Sequence, residues 1–251
     1  MQVFKKVRSL FRRAGFDVIR FPHDRYAQSL IARSTNNVVT GGPFQGLRLP
    51  EKLRGDDRGS RLLGFYEQEI QSLLVEACAQ RPDLIINVGC ADGYYAVGLA
   101  MLNPTSRVVA YDIDPVAQST CRSACDINAV TNVDVKGLCE AKELTALAES
   151  ATSPFILLDC EGGERDLLLS NPYQFSRARL LVECHDFLDA NITKDLIAKF
   201  AVSHFVKIIS QGARNPFEHP LTQGWPENLL WQLISENRPQ RMHWMSLTPK
   251  P

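Results

Sequence analysis

Short apolar runs alternate with amphipathic stretches along most of this chain. The run Leu84–Val88 stops at Gly89, and the residues from Tyr94 to Leu102 then have helical character. The same alternation continues toward the C-terminus. It predicts an α/β fold, a doubly wound and mostly parallel seven-stranded sheet with helices on both faces and ligands at the carboxyl ends of the strands. The predicted strands are residues 84–88, 107–111, 133–135, 155–158, 180–182, 205–209 and 242–247.

The first sixty residues differ in character from the rest. Residues 34–60 are punctuated by glycine and proline, so they either pair as short strands or form a cap. Residues 62–79 then alternate apolar and polar positions at helical spacing and are predicted to form one amphipathic helix. We therefore predict an N-terminal helical and irregular extension over residues 1–60 and one α/β domain over residues 61–251.

Basic residues are concentrated at the N-terminus. Residues 1–25 hold seven lysines and arginines against two aspartates, opposite an apolar stripe that includes Val3, Val7 and Leu10. A short basic amphipathic helix of this kind is able to lie on an anionic membrane surface. The other interpretation is a helix that docks its stripe on its own domain and leaves its basic side chains in water.

The composition narrows the classes of partner and the location. The 251 residues carry 28 basic and 28 acidic side chains, so the net charge gives no general case for a polyanionic partner. None of the seven cysteines forms a Cys-x-x-Cys pair, and reduced thiols are expected rather than disulfides or a zinc site. The sequence lacks a membrane-length apolar run and the apolar core of a signal peptide. We expect a cytoplasmic protein, either free or peripheral to the inner face of the membrane through residues 1–25.

The segment after the first predicted strand combines a glycine loop with a later acid. Gly89 and Gly93 are spaced Gly-x-x-x-Gly between a strand and a helix, where a ligand can approach the backbone and the positive helix end. A dinucleotide site has Gly-x-Gly-x-x-Gly instead, which disfavours a nicotinamide-dependent oxidoreductase. Asp112 directly follows the second strand, about twenty residues later, where a carboxylate meets the ribose hydroxyls of a nucleoside. Asp114, before Pro115, is predicted to cap the next helix; the simpler alternative makes both acids caps.

Four chemically active side chains follow the fourth and fifth predicted strands. These are Asp159, Glu161, Glu183 and His185. Because neighbouring parallel strands end at the same edge of a sheet, we predict that the four converge beside the glycine loop. Three carboxylates and an imidazole suit general-base catalysis or a divalent metal, of which the metal is not expected. The alternative is that such acids cap the following helices, which is the interpretation preferred for Glu164.

Taken together, these features resemble the class I S-adenosylmethionine-dependent methyltransferases, which have a Rossmann-like fold, over roughly residues 60–247. The positions that carry this resemblance are Gly89, Gly93, Asp112, Asn128 and Gly137. More narrowly, the chain resembles the FkbM-type methyltransferases. That resemblance rests on residues 63–70, 159–164 and 182–185, whose sequences are LGFYEQEI, DCEGGE and VECH.

The resemblance implies S-adenosylmethionine as the cofactor. Two positions depart from the family pattern, because Asn87 replaces the usual acid before the glycine loop and Leu138 stands where an acid often contacts the adenine. Asn87 cannot make a charge-assisted bond to the methionine ammonium, and backbone groups or Cys139 would replace Leu138 at the adenine. The cofactor-binding residues are then Asn87, Gly89, Cys90, Gly93, Tyr94, Asp112, Ile113, Leu138, Cys139, Asp159 and Glu67.

The resemblance also implies methylation of a hydroxyl on a sugar or another small-molecule or glycan acceptor. Such a hydroxyl must lose a proton, so a base or a metal belongs beside it. The expected catalytic residues are His185, Asp159, Glu183 and Glu161. An RNA methyltransferase is one alternative, although the neutral net charge gives no strong nucleic-acid signal. A non-catalytic binding protein is another, and the departures at Asn87 and Leu138 would fit it.

Overall fold

A computed structural model of the chain describes residues 24–51, 57–169, 172–236 and 238–251. The predicted basic helix of residues 1–25 lies outside these ranges, apart from its last two positions. Within the described ranges, no helix is long and apolar enough to cross a membrane.

One sheet of seven strands forms the centre of the molecule. The strands are β1 (Leu84–Val88), β2 (Arg107–Tyr111), β3 (Val133–Lys136), β4 (Pro154–Leu158), β5 (Arg179–Cys184), β6 (His204–Ser210) and β7 (His243–Pro249). They lie in the order β3-β2-β1-β4-β5-β7-β6, with β7 antiparallel to both of its neighbours and parallel pairing from β3 to β5. The order reverses between β1 and β4, where doubly wound sheets have their ligand crevice. The predicted fold class is confirmed.

Helices cover both faces of this sheet. They are α1 (Asp24–Thr35), α2 (Arg58–Leu63), α3 (Gln71–Ala79), α4 (Tyr94–Leu102), α5 (Pro115–Ile127), α6 (Ala141–Ser150), α7 (Glu164–Leu168), α8 (Ile192–Phe200) and α9 (Glu227–Leu233). Side chains alternate along a strand, so Ile85 packs in the core with α4 and α9, while Ile86 packs in the core with α6 and α8. The start predicted for α5 is confirmed, because the Asp114 carboxylate accepts a 2.8 Å hydrogen bond from the N–H of Val116 and Pro115 is the first helical residue.

The single helix predicted over residues 62–79 is wrong. The structure divides this stretch into α2, a turn with a short 3-10 segment at Gln68–Ile70, and α3. Gly64 ends α2 with φ of 75°, and a side chain there would collide with the backbone of Gly41. Glu67 follows with φ of 45°, a strained angle for a residue with a side chain. The turn buries Glu67 completely at the carboxyl edge of the sheet.

Residues 24–51 pack against the sheet domain. Ile31 of α1 and Leu47 of the following loop are buried in the core that contains α4. Phe44 lies against Gly98 of α4, where any side chain would strike the aromatic ring. This packing places the loop over the helix that begins at the glycine loop. The division of the chain at residue 60 stays a prediction.

Candidate active site at the carboxyl edge of the sheet

A cavity of about 500 Å³ opens where β1, β2 and β4 end. Its walls are the glycine loop after β1, the acid after β2 and the loop after β4, as expected at the reversal of strand order. A volume of this size is typical of small-molecule sites. Six of the residues proposed to contact a cofactor line it, namely Gly89, Asp112, Ile113, Leu138, Cys139 and Asp159.

Both glycines of the loop are required by its geometry. Gly89 has φ of 82°, and a side chain there would collide with the carbonyl of Asp159. Gly93 has φ of 90° as the N-cap of α4, and a Cβ atom would lie 3.0 Å from the Sγ of Cys121. Only glycine adopts these angles without strain and allows such close approach. The loop is therefore pressed against the end of β4, which carries Asp159.

Asp112 holds the loop from the other side of the cavity. Its Oδ2 accepts a 2.9 Å hydrogen bond from the N–H of Ala91, and its Oδ1 accepts one of 2.9 Å from the N–H of Asp114. Each carboxylate oxygen has two lone pairs, so Asp112 can still accept hydrogen bonds from a ligand. Ile113 and Leu138 also line the cavity and are 76% and 65% exposed. Together these residues present one carboxylate and two apolar surfaces to a ligand.

Four of the proposed cofactor residues lie behind the cavity wall. They are Asn87, Cys90, Gly93 and Tyr94. Asn87 is fully buried, and its amide atoms have no hydrogen-bond partner among the described residues. Cys90 packs in a small buried cluster. Tyr94 lies under the guanidinium of Arg61, 5.4 Å from its ring centroid, and the same guanidinium pairs with Asp92 of the loop. These side chains support the loop.

A second cavity of about 250 Å³ adjoins the first, and we call it the acidic pocket. Asp159 and Glu161 line both cavities. The other charged side chains in its wall come from distant parts of the chain and are Glu67, Glu183, His185, Glu236 and Arg238. The four side chains predicted to converge therefore come together, although Glu183 lies within the last part of β5 and does not follow it. Glu67, predicted to bind the cofactor, lines this pocket and not the larger cavity.

His185 is at the centre of the acidic pocket and is 1% exposed. Its Nδ1 lies 2.7 Å from Oε1 of Glu164, while Nε2 faces carboxylate oxygens of Asp159, Glu161 and Glu183 at 3.5–3.6 Å. Burial on its own would lower the pKa of His185. The hydrogen bond to Glu164 and the nearby negative charges outweigh burial, so the pKa is raised above its ordinary value.

The interpretation of Glu164 as a helix cap leaves out its main contact. Glu164 is the first residue of α7, after the N-cap Gly163, and its Oε1 accepts a 3.3 Å hydrogen bond from the N–H of Gly162. The same oxygen lies 2.7 Å from Nδ1 of His185, and Glu164 is fully buried. Burial would raise the pKa of this carboxyl, but its hydrogen bond with His185 outweighs burial and lowers it. A charged Glu164 fixes which ring nitrogen of His185 carries the proton.

Three carboxyl groups of the acidic pocket resist ionisation. Burial and the neighbouring Glu183 raise the pKa of Glu67 to about 8. Burial and the charge of Glu67 raise the pKa of Asp159 to about 7. Burial and the charge of Asp159 raise the pKa of Glu183 to about 9. Like charges crowded into a buried site disfavour one another, and perturbed groups of this kind cluster at functional sites.

Arg238 supplies positive charge at the far side of the acidic pocket. Its guanidinium pairs with Glu67 and Glu183, and its Nε lies 2.9 Å from Oε2 of Glu236. The second oxygen of Glu67 accepts a hydrogen bond from the hydroxyl of Tyr95. Both oxygens of Glu67 are therefore occupied, whereas one oxygen of Glu183 remains directed toward His185.

No family model matches this chain, and no curated protein matches it. Several solved structures are similar in shape. The O-methyltransferase TomG from Streptomyces achromogenes, solved with SAM, is 13% identical, with 98% of this chain and 96% of that chain covered and a TM-score of 0.49. A precorrin-6y C5,15-methyltransferase from Geobacter metallireducens is 10% identical (72% and 89% covered, TM-score 0.49). An rRNA methylase from Streptococcus thermophilus is 12% identical (73% and 97% covered, TM-score 0.48). At these identities the similarity concerns the fold alone.

Sequence patterns missed several contributors to the acidic pocket. Glu164 belongs to the segment Asp159–Glu164, and its place within that segment is the one local signal that could have identified it. Arg238 gave no such signal, because it follows the last helix and meets Glu67 across 171 positions of sequence. Arg214, in the loop between β6 and α9, is buried and binds Glu69 at 2.8 Å. It braces the turn after α2 from outside the pocket.

Proposed function

We propose that this protein is an S-adenosylmethionine-dependent methyltransferase that methylates a hydroxyl of a sugar or of another small-molecule or glycan acceptor. The observation that carries the proposal is the wall shared by the two cavities. Asp159 and Glu161 line both the larger cavity and the acidic pocket. A methyl donor in the first and an acceptor in the second would meet at these two side chains.

The larger cavity fits the nucleoside half of the cofactor. Asp112 offers a half-exposed carboxylate to the ribose hydroxyls. Ile113 and Leu138 offer apolar surfaces to the adenine ring, and their exposure of 76% and 65% makes covering them favourable. Gly89 brings the loop backbone close to the place where the methionine part would lie. When bound, the cofactor supplies an electrophilic methyl group on a positively charged sulfur.

The acidic pocket fits the other half of the reaction. In the transfer, the acceptor oxygen forms a bond to the methyl carbon, and the electron pair of the broken sulfur–carbon bond stays on sulfur. The proton of the hydroxyl would go to Asp159 or to His185 beside it. Groups with pKa values near the working pH transfer protons most efficiently, and Asp159 has a pKa of about 7. Alignment of donor and acceptor supplies much of the remaining acceleration.

Two measurements test this proposal. Calorimetric titration with S-adenosylmethionine should show one binding site per chain. Incubation with methyl-labelled S-adenosylmethionine and a panel of sugars, nucleotide sugars and glycans should then move label to a hydroxyl acceptor, with RNA as a separate arm. No binding would contradict the cofactor assignment and favour a binding protein. Label on RNA alone would contradict the acceptor class.

A further inference from the structure

The ring of His185 is oriented in an unusual way for a buried histidine. Its Nδ1 is held by Glu164 at 2.7 Å, and both residues are at most 1% exposed. Its Nε2 points among three carboxylate oxygens, at 3.6 Å from Oδ1 of Asp159, 3.5 Å from Oε2 of Glu161 and 3.5 Å from Oε2 of Glu183. These distances exceed the usual hydrogen-bond range of about 2.7–3.2 Å. Among the described residues, Nε2 therefore has three neighbours and no hydrogen-bond partner.

The spacing matches that of atoms that share a metal ion. Nitrogen and oxygen ligands lie about 2.0–2.2 Å from a small divalent cation, so two of them are separated by roughly 3.0–3.5 Å around it. One atom each from Asp159, Glu161 and His185 lie within 4.8 Å of one another. The three side chains come from the two adjacent loops after β4 and β5.

We propose that this chain binds a divalent cation through Oδ1 of Asp159, Oε2 of Glu161 and Nε2 of His185. Glu164 already orients the imidazole for such a role, because it holds Nδ1 as the proton-bearing nitrogen and leaves the lone pair of Nε2 for the metal. Carboxylates with one imidazole favour Mn²⁺ or Mg²⁺ over the thiolate-preferring metals.

The acidic pocket holds a second cluster of carboxylates, and the charges around it favour the cation site at His185 over that cluster. Glu67, Asp159 and Glu183 also bring one oxygen each to within 4.8 Å. There, however, the guanidinium of Arg238 already pairs with Glu67 and Glu183. At the His185 end, by contrast, no described lysine or arginine side chain forms an ion pair with Asp159 or Glu161.

Glu161 keeps the site open to solvent. Its side chain is 74% exposed, and its backbone has φ of 52°, a left-handed angle that residues with side chains adopt at a cost. Gly162 continues the same tight turn with φ of 100°. The turn directs the Glu161 carboxylate back toward His185, and a cation can enter from this side.

The inference deepens the proposed function, on which its catalytic meaning rests, while binding of the cation itself can be measured without cofactor or acceptor. A bound cation would lower the pKa of a hydroxyl that coordinates it. His185 would then be a ligand, and the proton of the hydroxyl would go to water, which reaches the site past the exposed side chain of Glu161.

The test uses the full chain after dialysis against a chelator and removal of the chelator. Mn²⁺ is titrated while the electron paramagnetic resonance signal of free Mn²⁺ is followed, and spin-echo modulation reports any nitrogen bound to it. We expect one Mn²⁺ per chain with a nitrogen coupling. Glu161→Gln and His185→Gln should weaken binding by about tenfold or more, and His185→Gln should abolish the coupling. Asp134→Asn, an exposed carboxylate paired with Arg107, is the matched control and should bind normally.

Absence of saturable Mn²⁺ binding in the wild-type protein would overturn the proposal, as would binding without a nitrogen coupling. Unchanged affinity in Glu161→Gln would also overturn it, and this variant keeps the test valid if His185→Gln fails to fold, because Glu161 is exposed. Calorimetry with S-adenosylmethionine on the chelator-treated protein separates the two proposals. Cofactor binding without Mn²⁺ binding contradicts only the cation site, and the reverse contradicts only the methyltransferase.

Discussion

The larger cavity and the acidic pocket adjoin each other but are built in opposite ways. Backbone geometry and apolar side chains form most of the larger cavity, and Gly89, Asp112 and Leu138 each come directly after or soon after a strand. Buried charges form the acidic pocket, where Glu67 and Arg238 meet from opposite ends of the domain. The larger cavity can therefore recognise a ligand by its shape, and the acidic pocket can exchange protons with the molecule bound in it.

This difference explains why each cavity should respond differently to substitution. A residue of the larger cavity contributes to ground-state binding of one ligand, so its loss should alter affinity. A residue of the acidic pocket acts where charge develops during the reaction, so its loss should alter turnover. If substitutions in the two cavities changed affinity and turnover alike, the assignment of donor and acceptor to separate cavities would be contradicted.

The largest effect is expected at His185. His185→Ala should lower turnover by about 100-fold or more, because it removes a positioned base or ligand, and should leave affinity for S-adenosylmethionine unchanged. Turnover and calorimetric affinity are measured on the same sample. His243→Ala is the control, since His243 lies beside β5 but pairs with Asp186 outside the pocket. If His185→Ala unfolded at a lower temperature but kept normal turnover, the role of the histidine would be structural and not catalytic.

The opposite response is expected at Asp112. Asp112→Ala should weaken S-adenosylmethionine binding by about 1–3 kcal/mol, or roughly 5–150-fold, because the ribose hydroxyls lose a charged acceptor. Turnover at saturating cofactor should change little. Asp134→Ala provides the control for loss of a carboxylate. Unchanged affinity in a folded Asp112→Ala protein would remove Asp112 from the cofactor site.

A smaller effect is expected at Glu164, whose carboxylate holds Nδ1 of His185 and also accepts a hydrogen bond from the N–H of Gly162. Glu164→Gln keeps a hydrogen-bond acceptor for Nδ1 but removes the charge, so turnover should fall by about tenfold. Because Glu164 helps to raise the pKa of His185, the variant should also lower that pKa. The NMR titration of the ring would shift toward acid. A turnover loss with no change in this titration would show that Glu164 acts through the fold and not through the histidine.

Sequence patterns located the elements better than the contacts between side chains. The glycine loop after β1 and the acid after β2 are local features, because Gly89, Gly93 and Asp112 lie within about thirty residues of one another. The turn that buries Glu67 was missed because Gly64 is required by its contact with Gly41, which no local pattern records. Arg238 could not be assigned to Glu67 for the same reason. Long-range charge pairing decides the chemistry of the acidic pocket, and it appears only after folding.

The smallest expected effect concerns stability, and its sign follows from the raised pKa values. Glu67 has an ordinary pKa of 4.5 in the unfolded chain and about 8 when folded. Between these values the folded state keeps a proton that the unfolded state releases, so stability is lost as the pH rises through this window. Asp159, at about 7, and Glu183, at about 9, act in the same direction. The raised pKa of His185 does so as well.

We therefore expect the metal-free protein to unfold at a lower temperature at pH 8 than at pH 5.5. A loss of about 2 kcal/mol would lower the midpoint by roughly 4–8 °C for a domain of this size. Glu67→Gln should show a smaller loss, because its amide needs no proton and its removal relieves Asp159. Glu143→Gln is the control and should show the wild-type change of unfolding midpoint with pH. Hydrogen bonds from Lys136 and Tyr111 lower the pKa of Glu143, so this carboxyl stays ionised between pH 5.5 and 8. Thermal scans in chelator across these pH values measure how the unfolding midpoint changes with pH. If Glu67→Gln showed the same change as the wild type, the raised pKa of Glu67 would not contribute to the pH dependence of stability.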